Sequence, residues 1–239
     1  MGADGGTAVM GLAHSPRIVT DGLVLCLDAA SKRSYPGTGT TWTDLKGGYN
    51  GTFVNMATSN FSSDGGGSLT FDGANERVTS SSFPSFGNVA RTMEVWFKSS
   101  GASDRIPVSL SMAAQSTPNV SFATGFHSTI VKVYGGTGSY DEAVSISKNL
   151  IDGNWHHAVT TWDGENPGTL LIYGDGGLIG TQTRNAGEAY NTSSGCIIGT
   201  WYDYNRFWSG NISTVKVYNR ALTPDEILQN YLSTKERYA

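Results

Sequence analysis

Apolar and polar residues alternate along this chain in short runs, each cut by glycine and aspartate. The plainest case runs from Trp155 to Trp162, where His157, Val159 and Thr161 fall on one side and His156, Ala158 and Thr160 on the other. Period-two alternation bounded by Asp152-Gly153 and Asp163-Gly164 predicts a half-buried antiparallel strand. Residues 168–173 and 178–183 extend the pattern as a hairpin turning through Gly174, Asp175 and Gly176. The same reading places strands at 23–28, 49–54, 68–72, 76–80, 91–99, 106–112, 121–127, 129–134, 144–147, 196–200 and 211–218. Asn50-Gly51, Asp64-Gly65-Gly66-Gly67, Asp72-Gly73 and Gly135-Gly136 supply the turns. Nothing in charge or proline content divides the chain, so one sandwich of roughly a dozen strands is expected.

One helix is specified, at the C-terminal end. Thr223 stands at N-cap, Pro224 at the first helical position, and Glu226 completes a capping box. Ile227, Leu228, Tyr231 and Leu232 form the apolar stripe expected to dock it, with the helix spanning 224–237. At the other end, residues 1–20 read as an arm or strap of small residues, and 21–239 as a single domain.

Composition narrows the function classes. Glycine is abundant (31 of 239 residues) and charged residues make up 15%, which suits tight turns and short strands rather than helices. A net charge of −4 with Lys and Arg scattered singly excludes a phosphate-backbone binder. No apolar run approaches the roughly 20 residues that span a bilayer, and the first residues lack a basic, apolar signal pattern. Membrane insertion and secretion are therefore not expected. Cys26 and Cys196, both in apolar strand contexts, read as buried free thiols.

Four segments in order carry a resemblance: Ser68-Leu69-Thr70-Phe71-Asp72-Gly73, Met93-Glu94-Val95-Trp96-Phe97, the 152–183 unit, and Tyr218-Asn219-Arg220-Ala221-Leu222-Thr223 before the terminal helix. Together they resemble laminin-G-like, concanavalin-A-like modules across residues 22 to 232. The resemblance implies an all-β antiparallel sandwich, a jelly roll with a short C-terminal helix. Residues 17–45, from Arg17-Ile18-Val19 through Ser34-Tyr35-Pro36-Gly37 to Trp42-Thr43-Asp44-Leu45, are similar to structural proteins of tailed phages of marine and cyanobacterial type. This likeness implies a non-enzymatic virion protein, a capsid decoration or a tail-fibre adhesin, assembled in the host cytoplasm. Its implied partners are capsid or other virion proteins reached through residues 1–20, and surface glycans; a homo-oligomer is left open.

Candidate chemistry follows from the fold so implied. Glycosidases need two carboxylates flanking the scissile bond. No Glu-x-Asp-x-x-Glu pattern lies on a strand, Glu94 is a lone acid on its own, and no Gly-x-Ser-x-Gly elbow exists, so no catalytic residue is assigned. His156 and His157 should face opposite ways, one inward and one to solvent. Relatives of the fold often hold calcium at the rim, and Asp72, Asn75 and Glu76 are the nearest candidates, although Arg77 competes with a cation and an Asp-Gly turn explains them as well. The aromatic run Trp201, Tyr202, Asp203, Tyr204, Asn205 and Arg206 is the expected ligand site, since ring faces beside polar groups suit a sugar. Phe207 and Trp208 are assigned to the core.

Overall fold

The computed structural model describes residues 17–101, 105–111, 121–135, 141–184, 190–201 and 205–239. Its strands, in chain order, are β1 (Leu23–Asp28), β2 (Thr41–Trp42), β3 (Gly51–Val54), β4 (Phe61–Ser62), β5 (Ser68–Asp72), β6 (Arg77–Ser80), β7 (Arg91–Lys98) and β8 (Arg105–Leu110). There follow β9 (Phe122–Phe126), β10 (Ile130–Tyr134), β11 (Asp141–Ser145), β12 (Trp155–Trp162), β13 (Thr169–Gly174), β14 (Gly177–Thr183), β15 (Cys196–Ile198) and β16 (Ser209–Tyr218). A single α-helix, α1 (Pro224–Thr234), closes the described chain, followed by a 3-10 turn at Lys235–Arg237.

Two antiparallel sheets of eight strands face each other among the described residues. The first runs β14-β13-β12-β7-β16-β5-β4, and the second β11-β10-β9-β8-β15-β6-β3-β2. Strand β16 is long enough to share one edge between two partners: its first half pairs with β5, and its second half with β1. The 91–98 strand therefore lies at the centre of the first sheet, between β12 and β16.

The alternation seen in sequence is resolved by this pairing. Met93, Val95 and Phe97 point inward with Ala158, Leu170, Ile172, Val215 and Val217, against Val108, Phe122, Phe126, Val131 and Val133 of the other sheet. Phe97 is the hub, with its ring 4.8 Å from Phe126 and 5.0 Å from Trp208. Trp208 is fully buried as expected, whereas Phe207 is only half-buried. Both thiols are free and buried.

The β13–β14 hairpin turns through Asp175 (φ 49°) and Gly176 (φ 83°), the two left-handed residues of a type I′ turn that matches the strand twist. Gly176 has a second reason to be glycine: a Cβ there would stand 2.9 Å from the Tyr231 ring, so the hairpin slides beneath α1.

The helix starts where its cap predicts. Thr223 accepts from the Glu226 amide at 3.3 Å, and the Glu226 carboxylate accepts from the Thr223 amide at 2.9 Å while Arg220 clamps it at 2.7 and 2.6 Å. Its buried seam differs from the expected stripe. Ile227, Asn230 and Thr234 face the sheet, while Leu228 (42% exposed) and Leu232 (37% exposed) stand outward. The spacing 227, 230, 234 is the correct helical face: Ile227 joins Val159, Tyr173, Tyr218 and Leu222 in an apolar patch, while Asn230 and Thr234 meet the polar groups of Glu94 and Trp96 beside it.

Residues 17–20, assigned above to the extension, are part of the folded body. The Val19 amide donates to Asn230 Oδ1 at 2.7 Å, Tyr218 Oη donates to the Val19 carbonyl at 3.1 Å, and Gln229 Nε2 donates to the Arg17 carbonyl at 2.6 Å. This strap and α1 together cover the middle of the outer face of the first sheet, over β1, β16, β7 and β12. No described helix is long and apolar enough to cross a membrane.

Candidate functional site

The expected aromatic ligand run is largely closed where it is described. Trp201 is 3% exposed and packs on Tyr134, with ring centroids 4.7 Å apart. The Arg206 guanidinium lies over both rings, 4.8 Å from the Trp201 centroid and 5.1 Å from that of Tyr134. Asn205 is exposed and accepts from Arg206. Tyr202, Asp203 and Tyr204 lie outside the described residues. A ring already stacked under a guanidinium and walled by Ile106 and Ala123 presents little free face.

The rim turn behaves as an Asp-Gly turn. Asp72 Oδ1 accepts from the amides of Ala74 (2.7 Å) and Asn75 (3.3 Å), and both Glu76 oxygens are taken, one by Asn60 Nδ2 and one by the Asp72 amide, each at 2.7 Å. Arg105 spans the same rim, donating to the carbonyls of Gly73 (3.3 Å) and Phe207 (2.6 Å). Asp72 Oδ1 and both Glu76 oxygens are thus occupied within the turn, and the Arg105 guanidinium on the Gly73 carbonyl opposes a cation, which fits an Asp-Gly turn better than a calcium site. Among the described residues no three His, Cys, Asp or Glu side chains converge as metal ligands.

The polar chemistry gathers instead on the outer face of the first sheet, under α1. Cross-strand register sets Lys216 beside Glu94 and Trp96 beside His157. Glu94 and Lys216 are each 1% exposed and form an ion pair, and Asn230 Nδ2 donates to the other Glu94 oxygen at 2.7 Å. His157 Nε2 stands 3.1 Å from Glu94 Oε1, in charge contact but not aligned as a hydrogen bond. Burial alone would raise the Glu94 carboxyl; Lys216 and His157 outweigh it and bring it down to about 2. Lys216 is raised although burial opposes it, because Glu94 favours its charge.

Neither histidine of the 156–157 pair reaches solvent. His157 is fully buried because α1 roofs the face that would otherwise be wet. His156, 6% exposed at the strand end, is clamped between Asp175 (2.8 Å from Nδ1) and Asp152 (3.0 Å from Nε2). Burial would lower its pKa, and the two carboxylates raise it above the usual imidazole value. Asp175, which burial would raise, is drawn down to about 2 by His156, Lys148 and the His157 amide.

Beside this cluster lies a groove of about 260 Å³ with aromatic walls, formed by Trp96, Trp155, Tyr231 and Tyr238, together with Asp175, Lys235 and Glu236. Trp96 is its floor. Tyr238 stacks on it at 3.9 Å and 15°, and Tyr231 lies nearly parallel at 5.8 Å and 14°. The Trp96 indole is pinned by its donation to Thr234 Oγ1 at 3.0 Å, and that of Trp155 by donation to Asp64 Oδ1 at 3.0 Å. Trp155, Tyr231 and Tyr238 stay partly exposed. The volume equals roughly nine waters at about 30 Å³ each, about one sugar ring. In the sequence its only signal is that Trp96 and Trp155 share the phase of Glu94 and Lys98 rather than that of the core; the contributions of Tyr231 and Tyr238 require the helix to be docked.

Solved structures with this architecture include domain 4 of AbnA, a GH43 extracellular arabinanase from Geobacillus stearothermophilus, in complex with arabinotriose (TM-score 0.63, 14% identity, 87% of this chain and 98% of that one). The Trypanosoma rangeli sialidase matches with TM-score 0.63 and 14% identity over 95% of this chain, which spans 36% of the sialidase. The receptor-binding domain of botulinum neurotoxin type G matches with TM-score 0.59 and 15% identity, over 88% of this chain and 51% of that one. At such identities the likeness is one of fold. No curated protein matches in sequence. A family model does, over residues 72–228, and by that match the chain belongs to the concanavalin A-like lectin/glucanases superfamily.

Proposed function

We propose that this protein is a non-enzymatic adhesion module that binds a glycan in the groove between Trp155, Tyr231 and Tyr238, and that it is displayed on the virion of a tailed phage. The observation that carries the glycan reading is the groove itself: partly exposed rings over a fixed Trp96 floor, with Lys235 and Glu236 at hand for hydroxyls. Sugars are held in this way, their C–H faces on rings and their hydroxyls on charged groups. The arabinanase domain of similar fold was solved with arabinotriose, which makes that trisaccharide a sensible first probe. Display on a virion is supported by the likeness of residues 17–45 to phage structural proteins. Many copies on a particle would turn a weak single-sugar contact into firm attachment.

A glycan array followed by titration of the best hit tests the reading. Trp155→Ala and Tyr231→Ala should each weaken binding by about tenfold or more, roughly 1.4 kcal/mol, while a Trp201→Ala control keeps it. Unchanged affinity in both groove variants, or release of reducing sugar from the bound glycan, would overturn it. Quantitative mass spectrometry of purified particles tests the display: tens to hundreds of copies support it, and absence removes it.

A further inference from the structure

We propose that a second recess, separate from the aromatic groove, binds a small sugar acid, with the carboxylate received by Lys216 and the hydroxyls by the threonine and serine side chains around it. The recess has about 550 Å³, within the roughly 300–1,000 Å³ of small-molecule sites. It opens between the 17–20 strap, the outer faces of β1 and β16, and the end of α1. Tyr238 separates it from the groove: its ring lines the groove, and its hydroxyl bonds Thr214 of the recess wall at 3.1 Å.

Three features select the ligand. The first is donor capacity. An ammonium has three N–H donors. Among the described residues Lys216 makes one hydrogen bond, to Glu94, and the Glu94 oxygen that remains is taken by Asn230. The neighbouring Cys26 offers no anion, because burial pushes its thiol up to about 11. A buried donor left without an acceptor costs about 1–3 kcal/mol, so an occupant with acceptor oxygens is favoured. The second is charge. The wall carries Lys216, Arg17 and Arg237 against Asp28 alone, and Asp28 is already bound to Arg237 at 2.8 Å and to the Ala30 amide at 3.0 Å. Among the lining side chains three cations face one anion; Glu94 behind Lys216 and Asp44 behind Cys26 offset that charge, so the preference for an anion rests on the unfilled Lys216 donors and the exposed Arg17 and Arg237 at the rim. The third is the set of hydroxyls from Thr20, Thr214, Ser233 and Thr234: Ser233 and Thr234 already donate to the Asn230 carbonyl and Thr214 bonds Tyr238, so they offer a polyol acceptor lone pairs beside Thr20, with Ile18 and Leu45 as the apolar side.

Calorimetric titration of the full chain with D-glucuronate, D-glucose and inorganic phosphate tests this. Saturable binding of glucuronate is expected, with glucose and phosphate each at least tenfold weaker. Lys216→Met with Glu94→Gln removes the ammonium without stranding its carboxylate, and should abolish at least tenfold of the affinity in a protein that still melts cooperatively. Arg237→Gln, on the exposed rim, gives an independent variant expected to weaken glucuronate several-fold. Trp155→Ala should leave glucuronate binding unchanged, so failure here is distinguishable from failure of the groove. The proposal is overturned by absence of saturable glucuronate binding, by phosphate binding as tightly as glucuronate, or by unchanged affinity in the Arg237→Gln protein together with the double variant.

Discussion

The layer between the two sheets and the layer between the first sheet and α1 are built on opposite rules. The first is mostly apolar, with Phe97, Phe126, Val131 and Trp208 interlocked; its polar members are a buried Thr124–Thr160 hydroxyl pair across the sheets and Arg91, whose guanidinium lies over Phe122. The second, made by the other phase of the same strands, contains Glu94, Lys216, His157, Asn230 and Tyr218, all nearly or wholly excluded from solvent. Area burial drives the first and tolerates many apolar sequences. The second gains little from burial of charges, since desolvation offsets most of their attraction, and instead fixes one geometry through pairs that must all be made. Both recesses described above border this second layer, on surfaces that the sandwich alone does not require.

Breaking each layer should show the contrast. Phe97→Ala removes the hub of the sandwich and is expected to cost about 3–5 kcal/mol in denaturant unfolding. Lys216→Met should cost a similar amount, about 3–5 kcal/mol, because it strands Glu94 in the buried layer. Adding Glu94→Gln to Lys216→Met should restore most of that loss, whereas no second truncation will rescue Phe97→Ala. A double variant as unstable as the single one would mean that the pair itself, not the stranded charge, holds the layer.

A smaller effect comes from the roof of the second layer. Thr223→Ala removes the α1 cap and should cost about 1 kcal/mol in thermal melting. The smallest is the pH response of the His156 clamp. The folded pKa of His156 is raised above the ordinary 6.5, so its stabilisation is complete below that value and fades as pH rises through the folded pKa. Asp175 works in the other direction: its folded value of about 2 lies below the ordinary 3.8, so its contribution is present above 3.8 and lost as pH falls toward 2. His156→Gln should flatten the alkaline limb of the stability profile and shrink the acid limb in part, since Lys148 and the His157 amide still hold the Asp175 carboxyl down.

Most of the first layer is legible in the sequence, and little of the second. Period-two alternation and Asp-Gly punctuation locate Leu23–Asp28 and Trp155–Trp162 at their observed bounds, and the Thr223-Pro224-Asp225-Glu226 cap fixes the start of α1. The end of α1 is misjudged because Lys235 and Arg237 continue in a 3-10 turn, which carries the same residue types. The buried ion pair is invisible because its members are 122 positions apart and meet only through β7–β16 register. His157 reads as half of a wet–dry alternation, since no local pattern announces that a helix will roof the wet side. For the same reason Trp201, conspicuous in an aromatic run, draws attention that Trp155 does not, since the groove partners of Trp155 come from β7 and the chain end. Residues 72–76 show the converse: their acids look like ligands until the turn amides and Arg105 claim the oxygens.

Binding on the α1-covered face of the first sheet, rather than on the Trp201 side, has a direct signature. Amide chemical-shift mapping of the labelled protein, titrated with the glycan that an array selects, tests it most directly. The account predicts perturbations concentrated at residues 154–157, 174–176 and 231–238, with the amides around Trp201 and Arg206 unmoved. Perturbations confined to residues 199–208 would contradict it and place binding on the opposite sheet.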